Sequence, residues 1–293
     1  MTPPIRPRRS VLYMPGSNPR ALEKAKTLAA DGLIFDLEDA VAPDAKTAAR
    51  DQVATATRTG GYGRREIVVR VNGLDTPWGR ADLAGVANCG AHAVLLPKVE
   101  SAATIREAET MLRQSGAPDD LAIWCMMETP RGILRAEEVA TASPRVTGFV
   151  MGTSDLAKDL HAQHTPDRLP FLAALGHVML VARAYNLVAL DGVHLDLDDD
   201  AGFEAQCRQG LAYGFDGKTL IHPKTIAAAN AVFAPPADEV AWSRKIIHAH
   251  AAATAEGKGV VLVDGKLVER LHVDNAERIV ALADAIAALE GQS

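Results

Sequence analysis

The feature that most limits how this chain can fold is a phrase it repeats. A short apolar run stops at a charged residue, a glycine or a proline, and a segment of helical periodicity follows. The runs fall at Ser10–Met14, Leu33–Leu37, Ile67–Val71, Ala93–Leu96, Leu121–Met127, residues 146–151, Leu187–Leu190 and Thr219–Ile221. After the first, Asn18 as a cap and Pro19 in the first turn predict a helix to about Ala30; after the fifth, Thr129 and Pro130 repeat the device. Further helices are predicted from about Pro43 and over 101–114, 171–185 and 200–213, with an excursion at His161–Pro170. Eight strand–helix units of roughly 25–35 residues predict a (β/α)8 TIM barrel over residues 1–234. A doubly wound open sheet is the competing architecture. Beyond Pro235-Pro236 the pattern changes to a helix (about 238–255), a glycine-rich turn at 257–259, the hairpin-like VVLVDGKLVER and a final helix (about 273–289). Residues 235–293 are therefore expected to form a C-terminal helix–hairpin–helix extension that packs on the barrel or on a neighbouring subunit.

Composition narrows the partners. At 293 residues and 48% hydrophobic, the chain can bury a substantial core. The net charge is −6, with no basic tract beyond Arg6–Arg9, which argues against nucleic acid as a partner. Cys89, Cys125 and Cys207 form no CxxC spacing, so reduced thiols in a cytoplasmic protein are expected. No apolar run approaches membrane-spanning length, and the opening MTPPIRPRR lacks a signal-peptide core, so no membrane partner is expected.

In a barrel, chemistry collects at the C-terminal ends of the strands. Those ends supply Asp36, Glu38, Asp39, Arg70, Lys98, Glu128, Asp155, Asp191 and His222. Part of that set is simply what polar strand ends look like in water. Glu128 and Asp155 differ, because each follows a long apolar run that should hold it near the barrel mouth. Two such carboxylates on adjacent strands repel unless a proton or cation lies between them. Two oxygen donors, with positions left for water and substrate, suit Mg2+ better than zinc. The competing reading is a pair of salt bridges to Arg70 or Lys98. Arg70 is either the bidentate fork for a carboxylate or enolate oxygen, or an ion-pair partner of Glu38 or Asp39. The junction YMPGSNPRALEK combines a glycine turn, a helix start, and Arg20 and Lys24 one turn apart, as an anion site would. Other motifs fail. Gly217-Lys218-Thr219 lacks the P-loop glycine five positions earlier, where Ala212 stands. His161 and His164, and His248 and His250, have no carboxylate company and are expected to face solvent. Lys98 at a strand end leaves a Schiff-base lysine as an alternative.

The phrases RSVLYMPGSNPR, FDLEDAVAPDAK, VVRVNG, LLPKVE, METPRG, MGTSDLA, LDGV and GFDGKTLIHP run in order from residue 9 to 223. Together they resemble the citrate lyase β-subunit-like branch of the HpcH/HpaI aldolase superfamily, the CoA-ester lyases. The resemblance implies a barrel dependent on Mg2+ or Mn2+, a homotrimer or homohexamer, that cleaves or forms 3-hydroxyacyl-CoA thioesters such as malyl-CoA. Its small-molecule partners would be an acyl-CoA and a 2-oxo acid. By the same resemblance, Glu128 and Asp155 bind the metal, Arg70 contacts substrate oxygens, and Glu38 and Asp39 support the metal's waters. Tyr13, Arg20 and Lys24 lie where the family holds coenzyme A, and the backbone around Gly152, Ser154 and Asp155 receives the acid's carboxylate. In the lyases an aspartate of a DGKMID-like motif, delivered by a neighbouring subunit, protonates the acetyl-CoA enolate. Here the motif reads DGKLVE, which puts Glu269 at that position. A displaced carboxyl matters for chemistry, although a charge in such a hairpin is also ordinary surface. The VERLH continuation resembles the malyl-CoA thioesterase subgroup. The first expectation is retro-Claisen cleavage of a malyl-CoA-like thioester to acetyl-CoA and a 2-oxo acid such as glyoxylate. The alternative is an (S)-malyl-CoA thioesterase giving malate and CoA. Further alternatives are a 2-oxo-acid aldolase without CoA and a carrier-dependent citrate lyase β-type subunit.

Overall fold

Eight parallel strands form the computed structural model, which describes residues 5–291. They are β1 (Ser10–Pro15), β2 (Gly32–Asp36), β3 (Glu66–Arg70), β4 (Ala93–Leu96), β5 (Ala122–Met127), β6 (Val146–Met151), β7 (Val188–Asp191) and β8 (Gly217–Leu220). Each pairs with the next in sequence, and β8 returns to β1, closing a (β/α)8 barrel and excluding the open sheet.

The alternation of side chains along each strand builds two layers of core. Val11, Ile34, Val68, Leu95, Trp124, Val150 and Leu190 meet inside the barrel, while their neighbours Leu12, Phe35, Val69, Leu96, Cys125 and Phe149 pack outward under the helices. Trp124 is the largest of the enclosed side chains. It fits because its register partner on β6 is Gly148, where a Cβ would come within 2.9 Å of the indole nitrogen. Arg8 lies over the indole, 5.6 Å from the ring centroid, and pairs with Glu66.

Helix starts follow the capping signals. Asn18 accepts from the Ala21 N–H (3.1 Å) ahead of Pro19–Ala25, Ser101 caps Ala102–Gln114, and Thr129 accepts from Gly132 (3.0 Å). The first helix stops at Ala25, short of the expected Ala30, because the next turn tightens: the Lys26 N–H bonds Glu23, and both Thr27 donors go to the Lys24 carbonyl. A single 3-10 turn, Pro43–Ala45, precedes Lys46–Thr59.

The chain divides into two compact units, the barrel Arg8–Phe233 and a second that holds the chain from Ala234 onward. The second contains the helix Ala237–Ala255, the antiparallel strands β9 (Val261–Val263) and β10 (Lys266–Val268), and the helix Arg270–Glu290. Asp264 and Gly265 at the hairpin turn both have positive φ (48° and 76°), which matches the twist of a two-residue connection. The last helix begins at Arg270 rather than 273, because the Glu269 N–H bonds Nδ1 of His272 and closes the first turn (3.1 Å). Ile246, Val263, Val268, Val273 and Ala276 form this unit's own small core. Leu262, Leu267 and Leu271 remain exposed.

His161, His164 and His248 face solvent as expected, but His250 does not. It lies one turn beyond Ile246 on the packed face of its helix and is buried, with Thr254 Oγ1 3.4 Å from its Nδ1. All three cysteines are free and buried. Among the described residues no helix is long and apolar enough to cross a membrane.

Candidate active site

The C-terminal mouth of the barrel holds a cavity of about 330 Å³. Alternation decides what faces it. Tyr13 follows Val11 on β1, Asp36 follows Ile34 on β2, Arg70 follows Val68 on β3, and Glu128 comes two residues after Met126. Asp36 and Arg70 are register partners, so their side chains meet at one level.

Arg70 is where the structure departs most from the expected arrangement. Its fork is already engaged: Nε and Nη2 donate to the two oxygens of Asp36 at 2.7 and 2.6 Å. Nη1 is left for Glu38 (2.9 Å) and Asp39 (3.4 Å), and the guanidinium stacks on Tyr13, 4.9 Å from the ring centroid. Burial works against the Arg70 charge, but Tyr13, Asp36 and Glu38 outweigh it and hold it protonated. Burial also raises the Tyr13 phenol, whose hydroxyl points at the Met126 sulfur (3.4 Å).

The loop after β2 is pinned from below. The Lys46 ammonium donates to the carbonyls of Leu37 (2.9 Å) and Glu38 (2.7 Å). Asn72 donates to Leu37 and to Asp82, which is itself buried against Arg50. Glu38 is therefore held over the mouth in a fixed pose. Burial raises its carboxyl above the usual range, and Oε2, though near Arg70, makes no aligned hydrogen bond.

Glu128 is buried to 2% exposure and accepts the backbone N–H of Lys98 at 2.7 Å. Burial, with the charges of Glu38 and Asp155 adding to it, pushes this carboxyl up to about 7 against the opposing Lys98 bond. Gly152 makes that packing possible, since a Cβ there would sit 2.5 Å from the Glu128 Cβ. Lys98 has a left-handed backbone (φ 48°), and its ammonium reaches Glu38 (3.0 Å) and approaches Asp155 (4.0 Å). Burial would lower the Lys98 ammonium, but Glu38 outweighs it and pushes it up to about 12. A lysine held charged in this way is poorly suited to act as a Schiff-base amine, which needs the neutral form.

Asp36, Glu38, Asp39, Glu128 and Asp155 thus outnumber Arg70 and Lys98, and the excess is anionic. A buried, raised Glu128 carboxyl and a Glu38 oxygen without an aligned hydrogen bond would suit a bound cation. Among the described residues no three His, Cys, Asp or Glu side chains form a ready-made metal cage. Hard oxygen donors with open positions fit Mg2+, which keeps waters and binds through few carboxylates.

Of the other expected residues, Tyr13, Asp39, Gly152, Ser154 and Asp155 line the mouth. Arg20 and Lys24 are exposed on Pro19–Ala25, outside that lining. Glu269 belongs to the C-terminal unit, where it caps the last helix. His222 caps a 3-10 turn after β8 through Nδ1. Asp191 faces outward, and burial, which would raise its carboxyl, is outweighed by Lys218 and Arg168, which lower it. Asp36, a strand-end acid to which the sequence assigns no role, lines the cavity, as do Met126, Met151, Val193 and Thr219, which the sequence does not single out. Period-two alternation back from Glu128 and Arg70 would have found Met126 and paired Asp36 with Arg70.

A closed parallel barrel with acids gathered at the C-terminal mouth places the chain in the class of barrel enzymes, whose chemistry sits at that end. Within it the match is specific: the chain belongs to the HpcH/HpaI aldolase/citrate lyase family, which it matches over residues 9–223. It is 51% identical to a protein of Cereibacter sphaeroides named (3S)-malyl-CoA thioesterase, over 96% of each chain. It is 36% identical to one of the same species named L-malyl-CoA/beta-methylmalyl-CoA lyase, over 98% of each. Among solved structures, protein CitE from Mycobacterium tuberculosis in complex with magnesium, acetoacetate and coenzyme A is 30% identical, with a TM-score of 0.73 over 94% of this chain and 97% of that one. The protein is an enzyme of the CoA-ester lyase and thioesterase family, whose structural relatives bind magnesium and coenzyme A.

Proposed function

We propose that this enzyme hydrolyses a malyl-CoA-type 3-hydroxyacyl-CoA thioester to the free acid and coenzyme A, with Mg2+ held by Glu128 and Asp155. The observation that carries the reading is the Glu128–Asp155–Glu38 cluster, an acidic mouth on a barrel 51% identical to named (3S)-malyl-CoA thioesterases. A divalent ion there would polarise a carbonyl oxygen and neutralise the carboxylates. The chain's own groups do the rest. Arg70, oriented by Asp36, would turn Nη1 from Glu38 to the oxygen that gains charge. Glu38, raised by burial, takes a proton from the attacking water. The C–S bond then breaks, and the thiolate leaves as coenzyme A with that proton. The backbone at Gly152–Asp155 receives the acid's carboxylate. A cavity of about 330 Å³ has room for the acyl portion but not the nucleotide, which Tyr13, Arg20 and Lys24 would guide at the rim. The exposed Leu262, Leu267 and Leu271 support a homotrimer or homohexamer in which Glu269 serves a neighbouring copy's barrel; light scattering tests the assembly.

A second reading, carbon–carbon cleavage to acetyl-CoA and glyoxylate, is supported by the 36% identity to a named lyase. Against it stands Glu269 in place of the lyases' aspartate. Incubation with malyl-CoA, with and without EDTA, decides between them. Thiol without glyoxylate is the expected result, whereas glyoxylate with acetyl-CoA establishes the lyase. Turnover that survives EDTA refutes the metal assignment.

A further inference from the structure

Lys98 lies beside Glu128, Glu38 and Asp155. Its backbone N–H donates to Glu128 at 2.7 Å, its ammonium lies 3.0 Å from Glu38, and the same nitrogen is 4.0 Å from Asp155. A left-handed backbone, which a lysine adopts only at some cost, is what lets one residue reach all three. Yet its side chain is 45% exposed. Charge, rather than packing, therefore holds the ammonium, and nothing in the core prevents it from leaving.

We infer that Lys98 is a tethered stand-in cation: its ammonium holds Glu38 and Asp155 together when no divalent ion is bound, and gives way when one arrives. The inference rests on the reading of Glu128 and Asp155 as metal ligands. A single positive charge and a divalent ion cannot share these oxygens without repulsion. Bound metal and bound ammonium are therefore alternatives, and the backbone N–H to Glu128 remains in both states. Removing the ammonium leaves the metal without a competitor but leaves the metal-free mouth with one cation fewer, Glu38 keeping only Arg70 (2.9 Å) and Asp155 only the exposed Lys158 (3.6 Å). A lysine that instead preformed the site would have the opposite effect on affinity.

The test is an Mn2+ titration of the full chain by electron paramagnetic resonance, with wild type, Lys98→Gln and Lys98→Arg, alongside thermal melts in EDTA. Lys98→Gln should bind Mn2+ about tenfold more tightly, the sense expected when a like charge is removed from the site. Lys98→Arg should stay within about threefold of wild type. In EDTA, Lys98→Gln should melt below wild type, and saturating Mn2+ should remove the difference. A folded Lys98→Gln protein with equal or weaker Mn2+ affinity overturns the inference. If that variant does not fold, Lys98→Gly, suited to the left-handed backbone, is read by the same criterion. Wild type that binds no Mn2+ removes the metal site itself and the inference with it, which separates the two failures.

Discussion

Replacing Glu128 by glutamine should stabilise the metal-free protein, even though it removes a residue on which function depends. The carboxyl has 2% exposure and is pushed up, chiefly by burial, from 4.5 to about 7. At about 1.4 kcal/mol per unit, its ionised form draws roughly 3 kcal/mol from the stability of the metal-free fold. The sign follows from linkage. The folded chain holds this proton more tightly than the unfolded chain, so the contribution is intact below about 4.5 and is lost as pH rises through about 7. Glutamine keeps the length and the acceptor for the Lys98 N–H but carries no charge. In EDTA at pH 8.5, Glu128→Gln should therefore exceed wild type by up to about 3 kcal/mol, a rise of several degrees in Tm for a chain of this size. At pH 5.5 the gap should narrow. Saturating Mg2+ should raise the wild-type Tm and leave the variant unmoved. Thermal melts at two pH values, with EDTA or Mg2+, give all four quantities. A variant no more stable than wild type at pH 8.5 in EDTA, or one that Mg2+ stabilises equally, refutes both the burial argument and the ligand assignment.

Other perturbations reach the same site from different sides. Gly152→Ala places a methyl group 2.5 Å from Glu128, which must then move; Mg2+ affinity should fall about 10- to 100-fold by calorimetry, with a stability loss of about 1–3 kcal/mol. Asp36→Asn removes the negative charge that holds the Arg70 fork, and should cost about 3 kcal/mol in urea unfolding and on the order of 100-fold in thioester turnover. Unchanged turnover would show that Arg70 needs no such support. Glu269→Asp restores the side-chain length of the lyase motif and should raise the ratio of glyoxylate to free thiol formed from malyl-CoA. An unaltered ratio and rate would remove Glu269 from the chemistry.

The barrel was legible because each strand is a run of apolar residues stopped by a polar one, a pattern that survives without knowledge of any contact. The same rule placed Glu128 and Asp155 at the mouth, since the runs before them are the longest. Arg70 does pair with Glu38 and Asp39, as expected, but its tightest partner is Asp36. Glu38 and Asp39 are the conspicuous acids of FDLEDA, whereas Asp36 looks like the last residue of a strand until inward alternation puts it opposite Arg70. Lys98 was harder still. Its role depends on a positive φ and a backbone N–H, neither of which leaves a trace in residue type. Arg168 could not be read at all, because its partner Asp191, shared with Lys218, is met only when an irregular excursion folds back over β7. Hydrolysis and carbon–carbon cleavage ask for nearly the same mouth, so residue types there do not separate them.

Trp124, wedged against Gly148 with Arg8 over its ring, fills the barrel interior, so a ligand in the cavity would leave through the C-terminal mouth. Whatever sits deepest is trapped until whatever fills the mouth has gone. In the proposed reaction the acid lies at the bottom and the coenzyme tail blocks the rim, so departure has a forced order: thiol first, acid second. Rapid-quench measurements with a thiol reagent and a malate-coupled signal should show that lag, and free acid appearing ahead of free thiol would mean that the cavity has another way out.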